Sequence, residues 1–224
     1  MELEETMQLT WLGHAAFYIQ ASDDSRIVID PYESGSFGGA ISYPAISVEA
    51  DAVFTTHQHA DHAATDSLPG KPELYAEEET ATVGSVDVTG FHTFHDTTHG
   101  SERGGNTIYV LEDNDLRLVH LGDLGHELGP DAIQSIGRVD VLLAPVGGLF
   151  TIDAATAARV VDALHPRVVI PMHYKTPDCG FDLAPVEDFL KTQDQVERWE
   201  EPTIILDPGS LPRERTTIVL PYVS

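Results

Sequence analysis

Residues 55–66 read TTHQHADHAATD and place three histidines and one aspartate within six consecutive positions. The polar side chains of this cluster are His57, His59, Asp61 and His62, in the pattern H-x-H-x-D-H. They follow the apolar, β-branched run 51–56 (DAVFTT), which is typical of a buried strand. A turn directly after that strand can bring all four side chains together, and imidazole and carboxylate are natural zinc ligands. The stretch therefore predicts a metal site at a strand end.

The alternative is a polar loop whose histidines cap backbone groups, in a chain that carries eleven histidines. The tight H-x-H-x-D-H spacing makes that alternative the weaker one. Manganese and iron accept the same ligands as zinc and remain open as metals.

Length and composition predict one cytoplasmic domain spanning residues 1–224. The N-terminal residues lack the basic and apolar regions of a signal peptide, and no apolar run approaches the roughly 18 residues of a membrane span. Cys179 is the only cysteine, so an internal disulfide and a thiolate-rich zinc site are both excluded. Any metal must be held by histidine and carboxylate.

The chain is strongly acidic, with 37 Asp and Glu against 12 Lys and Arg and a formal net charge of −25. Nucleic acids and anionic membranes bind through clustered cations, so neither is expected as a partner. We expect a small-molecule substrate and leave a homo-oligomer open. The scarcity of lysine also raises the hypothesis of adaptation to a salty cytosol, beside the simpler interpretation of a solvated surface.

Short β-type runs come first along the chain, and alternating strands and helices follow. The runs predicted as strands are 8–13, 15–21, 26–30, 51–56, 85–94, 106–123 (a hairpin turning at EDND), 140–147, 167–174, 203–209 and 216–223. Helices are predicted within 151–166, with Asp153 as N-cap and Pro166 as terminator, and within 184–192. This alternation indicates an α/β fold with two sheets.

The H-x-H-x-D-H motif after a buried strand resembles the signature of the metallo-β-lactamase fold hydrolases. Further matching segments follow in the family's order: RIVIDPY (26–32), FHTFHDTTHG (91–100), HLGDLGH (120–126) and VIPMHYK (169–175). Three segments, WLGHAAF (11–17), HLGDLGH (120–126) and PMHYK (171–175), resemble more narrowly the small branch that includes the ascorbate-6-phosphate-lactonase-like proteins. The resemblance covers about residues 8–175 and implies a four-layered αββα sandwich with its site at one edge.

The resemblance also implies two adjacent divalent metal ions, most simply Zn²⁺, with Mn²⁺ or Fe²⁺ as alternatives. By position, its ligands are His57, His59 and one downstream histidine for the first metal, Asp61, His62 and His173 for the second, and Asp123 as the bridge. The downstream histidine is His95 or His99. His95 fits better, because the His95–Asp96 pair precedes the loop GSERGGN as in the small branch.

Other residues near these motifs have two interpretations each. His126 and Asp61 are predicted as catalytic residues, although His126 could instead open a surface loop. Asp30 is expected to orient a ligand imidazole, or otherwise to serve as a turn residue before a proline. His14 is either near the metals or a capped turn residue. Arg103 could pair an anionic substrate group, but in so acidic a chain we expect it to form a structural salt bridge.

The function implied is a dinuclear metal-dependent hydrolase that uses a bridging hydroxide on a small ester, lactone or phosphoester. The alternative is a non-hydrolytic metal-binding protein or a di-iron redox protein on the same fold. The redox branch generally carries Glu at the second histidine of the motif and an attached flavin domain. His59 and the short chain speak against it, and no expected ligand position is empty.

Overall fold

Two β-sheets pack against each other in the computed structural model, which describes residues 6–76 and 80–224. The strands are β1 (Met7–Gly13), β2 (Ala16–Gln20), β3 (Arg26–Ile29), β4 (Ala52–Thr55), β5 (Glu73–Ala76), β6 (Thr80–Val83), β7 (Val86–Phe94), β8 (Gly105–Asp113), β9 (Leu116–His120), β10 (Val141–Pro145), β11 (Val168–Met172), β12 (Val196–Arg198), β13 (Thr203–Leu206) and β14 (Thr216–Val219). The helices are α1 (Ser36–Gly39), α2 (Pro130–Ile136), α3 (Ala154–Leu164) and α4 (Val186–Leu190), with a 3₁₀ turn at Thr65–Ser67.

Strand order explains how separate parts of the chain meet at one edge. The six-stranded sheet has the order β13-β1-β2-β3-β4-β5, and the eight-stranded sheet has the order β12-β14-β11-β10-β9-β8-β7-β6. β3 runs parallel to β4, and β9 runs parallel to β10 and β11. β7 is antiparallel to β8, which is antiparallel to β9, so β7 and β9 point the same way. The carboxyl ends of these strands therefore lie at shared sheet edges.

The central strands β3 and β4 of the six-stranded sheet are buried on both faces, as their continuous apolar runs predict. On β3, Ile27 and Ile29 face the core between the two sheets, whereas Val28 faces a second apolar cluster on the outside. Phe54 on β4 meets Tyr109 of the opposite sheet with ring centroids 5.2 Å apart. Contacts of this kind join the two sheets into one hydrophobic core.

The outer layers differ between the two sides. α3 packs on β10 and on α4 through the buried residues Ala157, Val160, Val161 and Leu164. On the other side, the second apolar cluster draws on irregular segments that include Tyr32, Ile41 and Tyr43, and α1 provides a single short turn there. The predicted two-sheet α/β architecture is confirmed, with few helices.

The interior strands match the sequence analysis, and the differences lie at the edges. β5, β6 and β12 occupy sheet edges, and their side chains are exposed or half-buried. Edge strands need no apolar pattern, so periodicity does not reveal them. α2 was also not predicted; it is short, begins with Pro130 and buries only Ile136. Residues 1–5, which are part of the N-terminal stretch expected to lack a signal peptide, lie outside the described residues.

Within the part of the chain that the structure describes, no helix has both the length and the apolarity needed to cross a membrane.

The predicted N-cap of α3 is confirmed. Asp153 has extended backbone angles, and its Oδ1 accepts the N–H of Thr156 at 2.8 Å. The helix ends at His165, which adopts left-handed backbone angles (φ 50°) one residue before Pro166.

We predict that Asp153→Ala lowers the free energy of unfolding by about 1 kcal/mol, because the cap hydrogen bond is lost. Asp153→Asn is the matched control, since its amide oxygen still accepts the same N–H. Urea unfolding of the three proteins measures this difference. Equal stability of the alanine and asparagine variants would show that the cap contributes nothing.

Candidate metal centre

Five strand ends and one turn deliver polar side chains to one place between the sheets. β3 and β4 lead from the six-stranded sheet, and β7, β9 and β11 lead from the eight-stranded sheet. The residues delivered are His14 from the β1–β2 turn, Asp30 after β3, His57, His59, Asp61 and His62 after β4, His95 after β7, Asp123 after β9 and His173 after β11. The structure thus brings all seven predicted metal ligands together.

Their ligand atoms fall into overlapping groups in which every pair lies within 4.8 Å. The groups are His57, His59 and His95; His57, His62 and Asp123; and His14, Asp61, His62 and His173. The first and third correspond to the two ligand sets implied by the resemblance, with His14 added. The middle group shares His57 with the first group and His62 with the third, and it adds Asp123.

Asp123 lies at the centre of the cluster. Its Oδ2 is 3.1 Å from Nε2 of His95, 3.3 Å from Nε2 of His62, 3.4 Å from Nε2 of His173 and 3.9 Å from Nε2 of His57. Four imidazoles from three segments of the chain therefore converge on one carboxylate oxygen. This is the arrangement expected of a carboxylate that bridges two metal sites.

Unpaired buried atoms test whether the cluster fits a metal. Among the described residues, Nε2 of His57, Nε2 of His173 and Oδ1 of Asp123 are buried without a hydrogen-bond partner. Buried polar atoms are normally paired, and leaving them unpaired costs free energy. These atoms are also the donor types that divalent zinc, iron and manganese prefer. The residues present therefore fit divalent metal ions.

Asp30 fixes the proton positions on two of these imidazoles. Its Oδ2 lies 2.9 Å from Nδ1 of His62 and also accepts the hydroxyl of Thr56 at 2.7 Å. Because the Thr56 hydroxyl donates to Asp30, its oxygen accepts the Nδ1–H of His57, 3.0 Å away. Both histidines thus hold a proton on Nδ1, which directs Nε2 into the cluster. The expected role of Asp30 in orienting a ligand imidazole agrees with this geometry.

The protonation of the cluster is set by burial and by mutual charge. Burial, reinforced by the charge of His62, lowers the pKa of His57 to about 3, and burial lowers the pKa of His173 to about 3. Both imidazoles are therefore neutral near pH 7, as metal ligands must be. Burial opposes the charge of His62, but Asp123 and Asp30 outweigh it and raise the pKa of His62 well above its usual value.

His14 contacts the second ligand set directly. Its Nε2 lies 3.2 Å from Oδ2 of Asp61, and its ring centroid is 4.1 Å from that of His173. Its carbonyl accepts the indole N–H of Trp11 at 3.1 Å and the backbone N–H of His173 at 3.0 Å. Of the two interpretations of His14, the geometry favours the one beside the metals, where it holds one oxygen of Asp61.

Backbone strain is concentrated in this cluster. His14, Asp30 and His173 have φ values of 53°, 51° and 52°, in the left-handed region that disfavours side chains with a Cβ. Such strain persists where the surrounding structure imposes it, and it is frequent at functional sites. Three of the nine residues that the strand ends and the β1–β2 turn bring to the cluster therefore have strained backbone angles.

The structure separates His95 from its rival, His99. His95 is buried and reaches Asp123, whereas His99 is exposed and packs on Phe94 with centroids 5.3 Å apart. His126 lies outside the ligand groups. Its Nε2 accepts the backbone N–H of Phe94 and its Nδ1 donates to the carbonyl of Glu127, at 3.2 and 2.7 Å. The geometry favours a loop-anchoring role for His126 over the substrate contact that we expected.

Two supporting residues were missed by the sequence analysis. Asn106 accepts the N–H of Asp123 on its side-chain oxygen at 2.8 Å and donates to Thr93 and to the carbonyl of Leu121. Asp96 accepts four backbone N–H groups of the loop that follows it. The sequence did offer a signal for the supporting role of Asp96, because this residue directly follows a predicted ligand. It offered none for Asn106, since the partners of Asn106 are distant in sequence.

The expected salt bridge of Arg103 is not found. No carboxylate of residues 6–76 or 80–224 lies within ion-pair distance of its guanidinium, which instead approaches the carbonyl of Leu149 at 3.4 Å. Its side chain lines a cavity of about 490 Å³ that opens onto His59, Asp61, His95 and Asp123. That position beside the cluster explains why Arg103 does not pair with the acidic surface.

We predict that Asp30→Asn weakens zinc binding by about 10- to 100-fold, the usual effect of removing a carboxylate behind a ligand histidine. The amide has one acceptor oxygen, which cannot serve the backbone N–H of Thr56 on one side and both the Thr56 hydroxyl and His62 on the other. With its Nδ1 facing the amide N–H group, His62 holds its proton on Nε2, which blocks metal binding. Chelator competition measures the affinity. Asp113→Asn is the control, because Asp113 is equally buried but accepts from Ser22 in a distant hairpin. Equal losses in both variants would contradict the relay.

We also predict that His95→Asn removes about one bound metal ion per chain, whereas His99→Asn removes none. Asparagine tolerates the left-handed backbone of His99, so that variant remains a fair control. Inductively coupled plasma mass spectrometry after dialysis measures the number of metal ions bound per chain. Loss of metal from the His99 variant alone would reverse the assignment.

The comparisons with known proteins identify the family of the chain. A profile of the beta-lactamase superfamily domain matches residues 8–173. The UPF0173 metal-dependent hydrolase of Methanopyrus kandleri is 32% identical to this chain, covering 91% of it and 98% of the relative. A Thermotoga maritima structure of the metallo-beta-lactamase superfamily has a TM-score of 0.77 and 38% identity, covering 96% of this chain and 98% of its own.

A more distant structure shares the fold alone. CmlA, a diiron beta-hydroxylase from Streptomyces venezuelae, has a TM-score of 0.58 at 17% identity, covering 91% of this chain and 54% of CmlA. The predicted αββα architecture and the superfamily resemblance are therefore confirmed. The chain belongs to the metallo-β-lactamase superfamily and, within it, to the UPF0173 metal-dependent hydrolases.

Proposed function

We propose that this hydrolase is dinuclear and acts on a small ester, lactone or phosphoester. The observation that supports it best is the arrangement of two ligand groups around one carboxylate, Asp123. His57, His59 and His95 would hold one metal ion, and Asp61, His62 and His173 would hold the other. When bound, two adjacent divalent ions supply a shared water of lowered pKa and polarise the oxygen of the scissile group.

Hydrogen bonds within the protein position the metal ligands in advance of metal and substrate binding. Asp30 holds the Nδ1 proton of His62 and, through Thr56, that of His57, so Nε2 is the nitrogen that each imidazole has for a metal. Because the side chains are positioned by packing and hydrogen bonds, little reorganisation is needed on metal binding. The ligand set is thus a preorganised one.

Asp61 would act both as a ligand and as the group that orients the attacking water. Burial opposes its ionisation, but the hydrogen bond and charge of His14 and the charge of His62 hold its pKa below the usual value. Oδ2 of Asp61, which contacts Nε2 of His14, also lies 3.9 Å from Nε2 of His62, so the carboxylate is directed at the second ligand set. Asp61 also lines the open cavity, where a substrate would meet it.

The cavity supports a small substrate. Its volume of about 490 Å³ is in the range of small-molecule sites. The net charge of −25 opposes polyanions, so we infer no nucleic acid partner and no anionic membrane partner. A cytoplasmic location, a single domain over residues 1–224 and any homo-oligomer remain predictions.

Zinc is the metal that we propose. Histidines supply five of the seven donors, and imidazole suits zinc well, although iron and manganese accept it too. The name of the Thermotoga maritima relative proposes that it depends on zinc. A di-iron redox protein is the rival, because CmlA shows that the fold carries diiron chemistry. His59 occupies the position at which we expect Glu in a redox member.

The test is a hydrolase screen of zinc-loaded protein over lactones, aryl esters and phosphodiesters, with wild type, His59→Asn and His99→Asn compared. We expect His59→Asn to lose about 100-fold or more of the activity, because an electrostatic group at the reacting centre is removed. His99→Asn should match wild type. An activity that survives unchanged in the His59 variant would overturn the proposal, and so would dioxygen consumption in place of hydrolysis.

A further inference from the structure

An aromatic rim borders the open side of the metal centre. Phe37, Phe150 and Phe181 line the same cavity as His59 and Asp61. Phe181 contacts Phe37 and Phe150 edge-to-face, with ring centroids 5.4 and 5.5 Å apart. Phe37 is 50% exposed. The three rings come from distant parts of the sequence and present apolar surface to whatever occupies the cavity.

Arg103 adds one positive charge to this rim. Its guanidinium carbon lies 5.9 Å from the centroid of Phe150, and it lines the cavity beside His59. The chain has only 12 cationic side chains among 37 acidic ones, yet within the described residues this guanidinium has no carboxylate partner. Its one polar contact, to the carbonyl of Leu149, is long at 3.4 Å. Most of its donors therefore remain for a ligand.

The loop that carries Arg103 is held in place by Asp96. The carboxylate of Asp96 accepts the backbone N–H groups of Thr98, Gly100, Glu102 and Arg103 at 2.8–2.9 Å. Since Asp96 directly follows His95, the position of Arg103 is tied to that of a metal ligand. The backbone at Arg103 is thus anchored beside the metal centre, and its half-buried side chain extends from that fixed position.

We propose that the substrate is a small amphipathic monoanion, in which an aryl or alkyl group packs on the three phenylalanines and a carboxylate pairs with Arg103. This inference rests on the proposed hydrolase function and specifies its substrate class. An apolar rim selects against polar sugars, and the planar guanidinium matches a carboxylate. Within the cavity lining, Arg103 supplies one positive charge, which one carboxylate matches through paired N–H donors.

The kinetic test compares 4-acetoxybenzoate with its neutral isostere 4-acetoxybenzamide on zinc-loaded protein. Wild type should have a kcat/KM about 10- to 100-fold higher for the benzoate, the fold-change that corresponds to a charge-assisted hydrogen bond. Arg103→Gln should remove this preference while changing the benzamide reaction less than twofold. Arg103→Lys should keep part of it. Phe181→Ala should slow both esters equally. A wild-type preference for the benzamide, or equal losses on both esters in Arg103→Gln, would overturn the inference.

A binding test separates this inference from the proposed function. Calorimetry with the non-hydrolysable ethers 4-ethoxybenzoate and 4-ethoxybenzamide requires no turnover. The benzoate should bind more tightly to wild type, and Arg103→Gln should abolish the difference. If no ester is hydrolysed but this pattern holds, the proposed chemistry fails and the inference stands. If both esters are hydrolysed without discrimination, the inference fails and the function stands. Tighter binding of 4-ethoxyphenyl phosphate would overturn the assignment to a carboxylate.

Discussion

The buried carboxylate of Asp30 is the interaction on which the metal centre depends. It accepts the Nδ1–H of His62 directly. It also accepts the hydroxyl of Thr56, whose oxygen in turn accepts the Nδ1–H of His57. Burial opposes its ionisation, but His62 outweighs that cost and keeps the pKa of Asp30 below its usual value. A charged oxygen at this position sets both tautomers at once. The six-stranded sheet places it there, because the N–H of Asp30 donates to the carbonyl of Phe54 on the neighbouring strand at 2.9 Å.

Around that carboxylate, the fold gathers donors that lie far apart in sequence. The cluster after β4 belongs to one sheet, whereas His95, Asp123 and His173 come from the other. Gathering these donors costs folding free energy in two ways. Among the described residues, buried nitrogens and one carboxylate oxygen have no hydrogen-bond partner. In addition, His14, Asp30 and His173 adopt left-handed backbone angles. A divalent metal would satisfy the unpaired atoms. The site therefore combines local instability with a rigid surrounding core, as functional sites often do.

Much of the fold and most of the proposed ligand set could be predicted from the sequence, because the informative sequence signals are local. Interior strands are continuous apolar runs, and the H-x-H-x-D-H motif follows one of them directly. Edge strands such as β5 carried no signal, since exposure removes the need for an apolar pattern. The unpaired state of Arg103 could not be predicted, because it depends on which carboxylates the fold places nearby. The aromatic rim is likewise a product of tertiary structure. For His126, closeness in sequence to Asp123 was the only signal, and the fold places its side chain on the backbone of Phe94 and Glu127.

The central claim is that two metal ions share Asp123. Anomalous-scattering diffraction from crystals of the purified protein, collected at the zinc, iron and manganese edges, tests it most directly. The account predicts two peaks about 3.5–4 Å apart, one beside His57, His59 and His95 and the other beside Asp61, His62 and His173. A single peak, or a pair of peaks that does not include Asp123 between them, would contradict it.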